Sequence, residues 1–192
     1  MPVSSSMKYV IAEGTKELLQ TIPFAELSVG NITKQCHISR NTFYYHFRDK
    51  YDVISWIFHT EIALVVGDTL DPENWNDKLL LLCRYMQKNK KFYINVLKFQ
   101  GQNSFTECLM DFYETLVRKM ILNIEADKVL SLSQEQIGLI SRFYAYGLTG
   151  SFMDWAKDGM EEDPEPTIRM MEQLTSGKIV SEIMSLQSRK QE

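Results

Sequence analysis

Apolar residues recur every three or four positions through most of the chain, which is the spacing of an amphipathic helix. In the first such stretch the spacing runs from Met7 to Ile22, and Pro23 then interrupts it. No stretch alternates apolar and polar residues as a half-buried strand does. The pattern therefore predicts an all-α protein with helices over residues 7–22, 29–36, 40–46, 51–70, 75–88, 91–97, 105–125, 134–158 and 166–186.

Two of the predicted helices are very short and follow one another closely. Ser28 and Ser39 stand directly before them, where a serine side chain caps a helix by accepting a hydrogen bond from its first turn. His37 and Ile38 form the turn between the two helices. Three- and four-residue spacing gives the helices an inward face, which holds Val29, Ile32, Cys36, Phe43 and Phe47. This arrangement is typical of a helix-turn-helix, whose second helix enters the major groove of DNA.

Polar and aromatic side chains cover the other face of the second short helix. Arg40 can donate to guanine acceptors, and Asn41 can pair with adenine. Hydroxyl, imidazole and ammonium donors nearby suit phosphate contacts, which fix the position of a protein on DNA without reading sequence. The candidate DNA-binding residues are Ser28, Ser39, Arg40, Asn41, Tyr44, Tyr45, His46 and Lys50.

The segment ISRNTFYYHFRDK resembles the signature of the tetracycline-repressor family, in which a short recognition helix ends in an aromatic-aromatic-His-Phe run followed by Lys. The resemblance extends over residues 10–56 and implies a three-helix DNA-binding domain at 1–52 and an effector-binding and dimerisation domain at 53–192. His37 stands where the family usually has Gly, so the resemblance implies a positive φ at this residue. Asn41 replaces a frequent Gly or Ala, which implies a changed base preference.

The same resemblance implies a homodimer that reads a palindromic operator on double-stranded DNA. In the family the last two helices pair with their symmetry mates in a four-helix interface. Here the predicted helix at 134–158 carries Gly147 and Gly150, small residues that allow close helix approach. We assign the interface to its apolar stripe, which consists of Ile137, Ile140, Tyr144, Leu148, Ser151 and Trp155, and to that of the last helix, with Ile168, Met171, Leu174, Ile183 and Leu186.

Control of the protein has two interpretations. The first is a sequence-specific repressor that is released when an effector binds in the C-terminal domain. The second is a DNA-bound coactivator controlled by a partner protein, because AYGLTGSFMDWAKDGMEEDPE resembles a branch of the family that includes regulators of dihydroxyacetone kinase operons. Aromatic residues could line an effector pocket or form ordinary core; they are Tyr85, Phe92, Tyr93, Phe99, Phe105, Phe112 and Tyr113.

Charge and composition add smaller constraints. The net charge is −4, but residues 1–50 carry six bases and four acids, a net +2, so a polyanion would meet this end first. Cys36, Cys83 and Cys108 form no metal-ligand pattern, and we expect reduced thiols. A third possibility, an all-α enzyme, lacks a nucleophile with a paired base or a phosphate-binding glycine loop, so we expect no enzyme, cofactor or metal. Residues 1–6 lack a signal-peptide pattern and no apolar run could span a bilayer, which predicts a cytoplasmic protein without membrane association.

Overall fold

The computed structural model describes residues 3–66, 74–99, 101, 104–128 and 132–175. In this part of the chain all regular structure is helical, which confirms the predicted all-α class. The helices are α1 (Val3–Leu18), α2 (Val29–Gln35), α3 (Arg40–His46), α4 (Lys50–Val66), α5 (Trp75–Lys88), α6 (Lys90–Leu97), α7 (Phe105–Lys128), α8 (Gln134–Lys157) and α9 (Glu165–Thr175).

The first helix departs most from its predicted bounds. It begins at Val3 and ends at Leu18, whereas the apolar spacing continues to Ile22. The N–H groups of Thr21 and Ile22 both bond to the Leu18 carbonyl, so the chain turns out of the helix before Pro23 is reached. The predicted ends of α4 at residue 70 and of α9 at residue 186 lie outside the described residues.

The chain packs into two units. The first contains Met1–Leu64 and Asn89–Cys108, and the second contains Val65–Lys88 and Leu109–Glu192. Buried aromatic and aliphatic side chains form the core of the first unit, among them Ile11, Phe24, Ile32, Phe43, Phe58, Phe92 and Tyr93. The core of the second unit includes Leu82, Met86, Leu109, Tyr113, Ile121, Ile137 and Phe152. The functional boundary between residues 52 and 53 stays a prediction.

Helix α8 has three distinct faces. Buried residues, among them Ser141 and Ala145, lie on the face that packs into the second unit. Next to it, Leu148, Ser151 and Trp155 line a cavity within the unit. On the far side Leu139, Phe143 and Tyr146 are 64%, 72% and 66% exposed.

Burial corrects part of the stripe assigned to the dimer interface. Ile137 and Ile168 are 1% and 6% exposed and belong to the core of the second unit, so these two residues leave the assignment. Leu148, Ser151, Trp155 and Met171 line a cavity of the unit but are partly exposed, and their place at the interface stays a prediction. The apolar face that remains open is that of Leu139, Phe143 and Tyr146. Gly147 and Gly150 are exposed, and a Cβ added at either would meet no atom within 4 Å.

Among the helices that the structure describes, we find none with both the length and the apolar character needed to cross a bilayer.

Candidate DNA-binding surface

A reciprocal pair of side-chain hydrogen bonds fixes the start of α2. Ser28 is the N-cap, and its Oγ accepts from the Asn31 N–H at 3.2 Å. The Asn31 side chain accepts in return from the Ser28 N–H at 2.9 Å. The two bonds satisfy backbone donors that the first turn of a helix leaves free. The predicted capping role of Ser28 is confirmed.

The turn between α2 and α3 depends on a residue with a left-handed backbone. His37 has φ 53°, so the positive φ implied by the family resemblance is confirmed. The turn closes with a hydrogen bond of 3.0 Å from the Ile38 N–H to the Thr33 carbonyl. Histidine is among the residue types enriched in this conformation, although glycine adopts it without a steric cost.

Ser39 sets the start of the recognition helix α3. It is the N-cap, with extended backbone, and its Oγ accepts from the Thr42 N–H at 3.0 Å. The predicted bounds and cap of α3 are both confirmed, because they depend on residues inside the segment itself. The cap leaves Arg40 and Asn41 in the first turn of α3, where both are exposed.

The two faces of α3 differ sharply in burial. Phe43 and Phe47 are 0% and 2% exposed, whereas Tyr44 and Tyr45 are 56% and 80% exposed. The separation of an inward aromatic face from an outward polar and aromatic one is therefore confirmed. His46 is half-buried, and its ring lies edge-on to that of Tyr45 with centroids 4.9 Å apart. Six of the candidate residues thus lie on or next to one exposed surface, namely Ser39, Arg40, Asn41, Tyr44, Tyr45 and His46.

Arg40 lies across the first turn of α2. A Cβ added to Gly30 would come within 3.4 Å of its Nη2, so the guanidinium rests close to the backbone of that turn. Glycine at this position leaves room for the arginine. The guanidinium is consequently exposed near the N-terminus of α2 as well as at the start of α3.

Lys50 is oriented differently from the other candidates. Its ammonium donates to the carbonyl oxygens of Phe24 and Leu27 at 2.8 Å and of Ala25 at 3.3 Å. The same ammonium lies 4.6 Å from the centre of the Phe24 ring. Burial lowers the pKa of Lys50. An ammonium has three protons, and three carbonyls of the protein accept from this one, so no proton is left for a phosphate in this arrangement. A direct phosphate contact by Lys50 stays a prediction.

The structure adds one basic residue that the sequence analysis did not select. Arg48 follows α3, and its side chain is 88% exposed with Asp52 at 3.7 Å. An exposed arginine so close to the recognition helix is a further candidate for a phosphate contact. The signal was present in the segment FRDK, where Arg48 is the base nearest to the end of α3.

A cavity of about 50 Å³ lies in the second unit between α5, α7, α8 and α9. Its lining is mostly apolar and comprises Leu79, Cys83, Tyr113, Leu148, Ser151, Phe152, Trp155, Pro164, Thr167, Ile168 and Met171. Burial raises the pKa of the Cys83 thiol to about 12. Burial, followed by the neighbouring Cys83, raises the pKa of Tyr113 well above its usual range. Both groups are therefore neutral at physiological pH.

Of the seven aromatic residues proposed to line a pocket, Tyr113 alone lines this cavity. Phe92, Tyr93 and Phe105 are at most 3% exposed and form core of the first unit, which is the second of the two alternatives for these residues. Helical spacing identifies residues that face inward, but it does not determine whether they meet a neighbour or a void. Among the described residues, no three His, Cys, Asp or Glu side chains gather as metal ligands would.

Comparison with known proteins agrees with the geometry of both parts of the chain. The model of the family "Bacterial regulatory proteins, tetR family" matches residues 11–55. A second model, "Transcriptional regulator C-terminal region", matches residues 73–177. Together they cover α2 and α3 and most of the second unit.

A curated relative is the dhaKLM operon transcriptional activator DhaS of Lactococcus lactis, which is 31% identical over 136 residues, or 71% of this chain and 72% of the relative. A solved structure of a dihydroxyacetone kinase operon activator DhaS is 24% identical and covers 97% of both chains, with a TM-score of 0.62. The fatty acid degradation regulator FadR of Bacillus halodurans is 16% identical and has a TM-score of 0.57, over 88% of this chain and 94% of its own. The chain therefore belongs to the tetR family of bacterial regulatory proteins and is a DNA-binding transcriptional regulator.

Proposed function

We propose that this regulator is a homodimer that binds a palindromic operator through the α3 helix of each protomer. The observation that carries the proposal is the outward face of α3. Arg40, Asn41, Tyr44 and Tyr45 are exposed on a helix whose other side is anchored by the buried Phe43. A rigid short helix with free polar groups at its N-terminal end is the form in which helix-turn-helix proteins meet the major groove.

The residues of the surface divide into two roles. Arg40 and Asn41 contact bases, because guanidinium and carboxamide groups pair with guanine and adenine edges in the major groove. Contacts to the DNA backbone come from the remaining candidates except Lys50 and from Arg48, and they fix the position of α3 without reading sequence. These backbone contacts comprise Ser28, Ser39, Tyr44, Tyr45, His46 and Arg48. Lys50 acts indirectly, by holding the loop before α2.

The dimer forms through the open face of α8. Three large apolar side chains, Leu139, Phe143 and Tyr146, are about two thirds exposed on this face. A contiguous apolar surface of this kind is costly to leave in water and marks an interaction site. A two-fold axis would relate two α3 helices so that they meet half-sites about 34 Å apart or a multiple of that distance.

The relative that is called an operon activator favours the second interpretation of control, in which a partner protein acts on the DNA-bound regulator, and the described cavity agrees with it. A cavity of about 50 Å³ accommodates only a few atoms. Pockets for small-molecule effectors usually enclose about 300–1,000 Å³. The relative with 31% identity is called an operon activator, so its effect on transcription is opposite to that of a repressor that an effector releases. Because bacterial chromosomal DNA lies in the cytoplasm, the proposal also locates the protein there.

Selection of bound fragments from random duplex DNA tests operator binding. Wild type is compared with a double variant, Arg40→Ala with Tyr44→Ala, and with Lys119→Ala, which removes an exposed base on α7. We expect wild type and Lys119→Ala to enrich the same palindrome and the double variant to enrich none. Failure of the wild-type dimer to enrich any sequence would contradict the proposal.

The dimer is tested by one substitution on the open face of α8. Phe143→Glu places a charge in the middle of that face and should give monomers by light scattering, with loss of operator binding. Leu122→Glu is the matched control, since Leu122 is also an exposed apolar residue, 44% exposed, but lies on α7. A Phe143→Glu protein that remains dimeric would contradict the assignment of the interface to this face.

A further inference from the structure

The loop between α1 and α2, residues 19–27, is held by side chains that are distant in sequence. A loop leaves many backbone groups without helical partners, and those that become buried need hydrogen bonds from elsewhere. The loop ends where α2 begins, so its conformation sets how the helix-turn-helix is attached to α1. We call this segment the α1–α2 loop.

Asn95 of α6 makes three hydrogen bonds to the α1–α2 loop. Its Nδ2 donates to the carbonyl oxygens of Leu19 and Ile22, both at 2.8 Å. Its Oδ1 accepts from the N–H of Phe24 at 2.8 Å. Both amide protons and the carbonyl of one side chain are therefore bonded to the same loop. No apolar side chain of similar size could replace these contacts, because two carbonyls and one N–H would lose their partner.

Aromatic packing supports the same attachment. Phe24 is 2% exposed, and its ring lies edge-on to those of Tyr51 and Phe99, with centroids 5.4 and 5.7 Å apart. Phe99 follows α6, and Tyr51 lies in the first turn of α4. Phe24 thus anchors the loop between α4 and the segment that contains α6, all within the first unit.

A second connection runs from α1 through α4 to α6. Glu61 of α4 forms a salt bridge with Lys16 of α1. Its other carboxylate oxygen accepts from the Tyr93 hydroxyl of α6 at 3.3 Å. Helix α6 is therefore connected to α1 and to the loop that follows it at two places. Asn95 bonds directly to the α1–α2 loop, and Tyr93 is linked to Lys16 of α1 through the Glu61 carboxylate.

We infer that Asn95 is a positioning residue for operator recognition: it fixes the orientation of α1–α3 relative to α6 and thereby the half-site spacing that the dimer accepts. The inference rests on the proposed function, because only a dimer that reads two half-sites has a preferred spacing. In a dimer the separation of the two α3 helices depends on every connection between α3 and the interface. Asn95 contributes three hydrogen bonds to this connection, all within the first unit.

The test uses the full-length protein and three duplexes that carry the selected palindrome with its natural spacing, with one base pair added and with one removed at the centre. Dissociation constants are measured at one stated salt concentration for wild type, Asn95→Leu and Asn95→Asp. Asn95→Leu removes all three hydrogen bonds, whereas Asn95→Asp keeps an acceptor for the Phe24 N–H and loses both donors. Asn123→Leu applies the same chemical change to α7 in the second unit. Circular dichroism and light scattering establish that each variant is folded and dimeric.

We expect wild type and Asn123→Leu to discriminate strongly between the three spacings. In Asn95→Leu the ratio of dissociation constants between the altered and the natural spacing should fall about tenfold, which corresponds to the loss of one hydrogen-bonded connection. Its binding to a single isolated half-site should stay unchanged. A residue that merely stabilised the fold would lower binding to all duplexes and leave their ratio unchanged. The inference is overturned if this ratio of dissociation constants stays within about twofold of wild type for both Asn95 variants. It is also overturned if neither variant folds. A wild type without any spacing preference overturns the proposed function itself, and the two failures are therefore distinguishable.

Discussion

Replacing Lys50 with methionine separates a structural role of this lysine from a role in DNA contact. Methionine keeps the length and apolar stem of the side chain but removes the ammonium. In the wild-type protein the carbonyl oxygens of Phe24 and Leu27 each lie 2.8 Å from Nζ, and the variant leaves both without their donor. The phosphate-contact interpretation predicts a loss of DNA affinity alone, whereas the geometry predicts a loss of stability.

The magnitude follows from the contacts of the ammonium. A hydrogen bond from a charged donor contributes about 1.5–3 kcal/mol, and the lower end applies because Lys50 is partly exposed to solvent. Two short bonds then give about 3 kcal/mol, since the 3.3 Å contact with Ala25 and the ring contact with Phe24 each add little. With an m-value of about 3 kcal/mol/M, the urea midpoint should fall by about 1 M.

Urea unfolding at a fixed protomer concentration measures this shift, because a dimer unfolds in a concentration-dependent way. Lys34→Met is the matched control, since Lys34 is exposed on α2 and its loss should cost at most about 0.5 kcal/mol. Operator affinity is measured in parallel over a range of salt. Each lost phosphate contact would reduce the salt slope by about 0.9. An unchanged urea midpoint together with a slope reduced by about 0.9 would refute the structural role of Lys50.

Three further predictions follow from local geometry. Ser39→Ala removes the α3 cap and should lower the free energy of unfolding by about 1 kcal/mol, whereas Ser39→Asn keeps an acceptor and should not; equal stability of the two variants in urea would contradict the capping role. His37→Gly removes the steric cost of a left-handed backbone at φ 53° and should raise the free energy of unfolding by about 1 kcal/mol. Calorimetry measures this change, and a lower unfolding temperature for the variant would contradict the prediction. Burial raises the pKa of Cys83 from 9.0 to about 12, so the folded state keeps a proton that the unfolded chain releases. The free energy of unfolding should therefore fall as pH rises from 9 towards 12, by about 1 kcal/mol between pH 8 and 10, and Cys83→Ala should lack this part of the fall; parallel urea profiles for the two proteins would exclude it.

Features that depend on neighbouring residues were predictable from the sequence. The bounds of α3 and both serine caps agree with the structure, because each is decided within a few residues. The positive φ of His37, which the family resemblance implied, agrees as well. The buried and exposed faces of α3 were equally predictable, since helical spacing alone separates Phe43 from Tyr44. The part of the site that carries the proposed base contacts is thus encoded locally.

Features that depend on distant contacts were not predictable. The apolar spacing continues past Leu18, but the chain leaves the helix there and folds into a loop that Asn95 holds, 76 positions away from Leu19. The ammonium of Lys50 donates to carbonyls 23 to 26 positions earlier, which no local pattern indicates, while its phosphate contact stays a prediction. On α8 the sequence shows apolar residues on more than one face, and only packing decides that Trp155 lines a cavity while Phe143 stays exposed. Periodicity gives the direction of a side chain relative to its helix and leaves its partner undetermined.

The central claim is that α3 reads bases directly, and repeating the binding-site selection with Arg40→Ala tests it most directly. A side chain that contacts one base edge contributes about 1–3 kcal/mol of discrimination at that base and nothing elsewhere. We predict that Arg40→Ala selects the wild-type palindrome with the preference lost at one position in each half-site, symmetrically about the centre. An unchanged base preference at every position, with affinity lowered equally for all sequences, would show that Arg40 contacts only the DNA backbone and would contradict the claim.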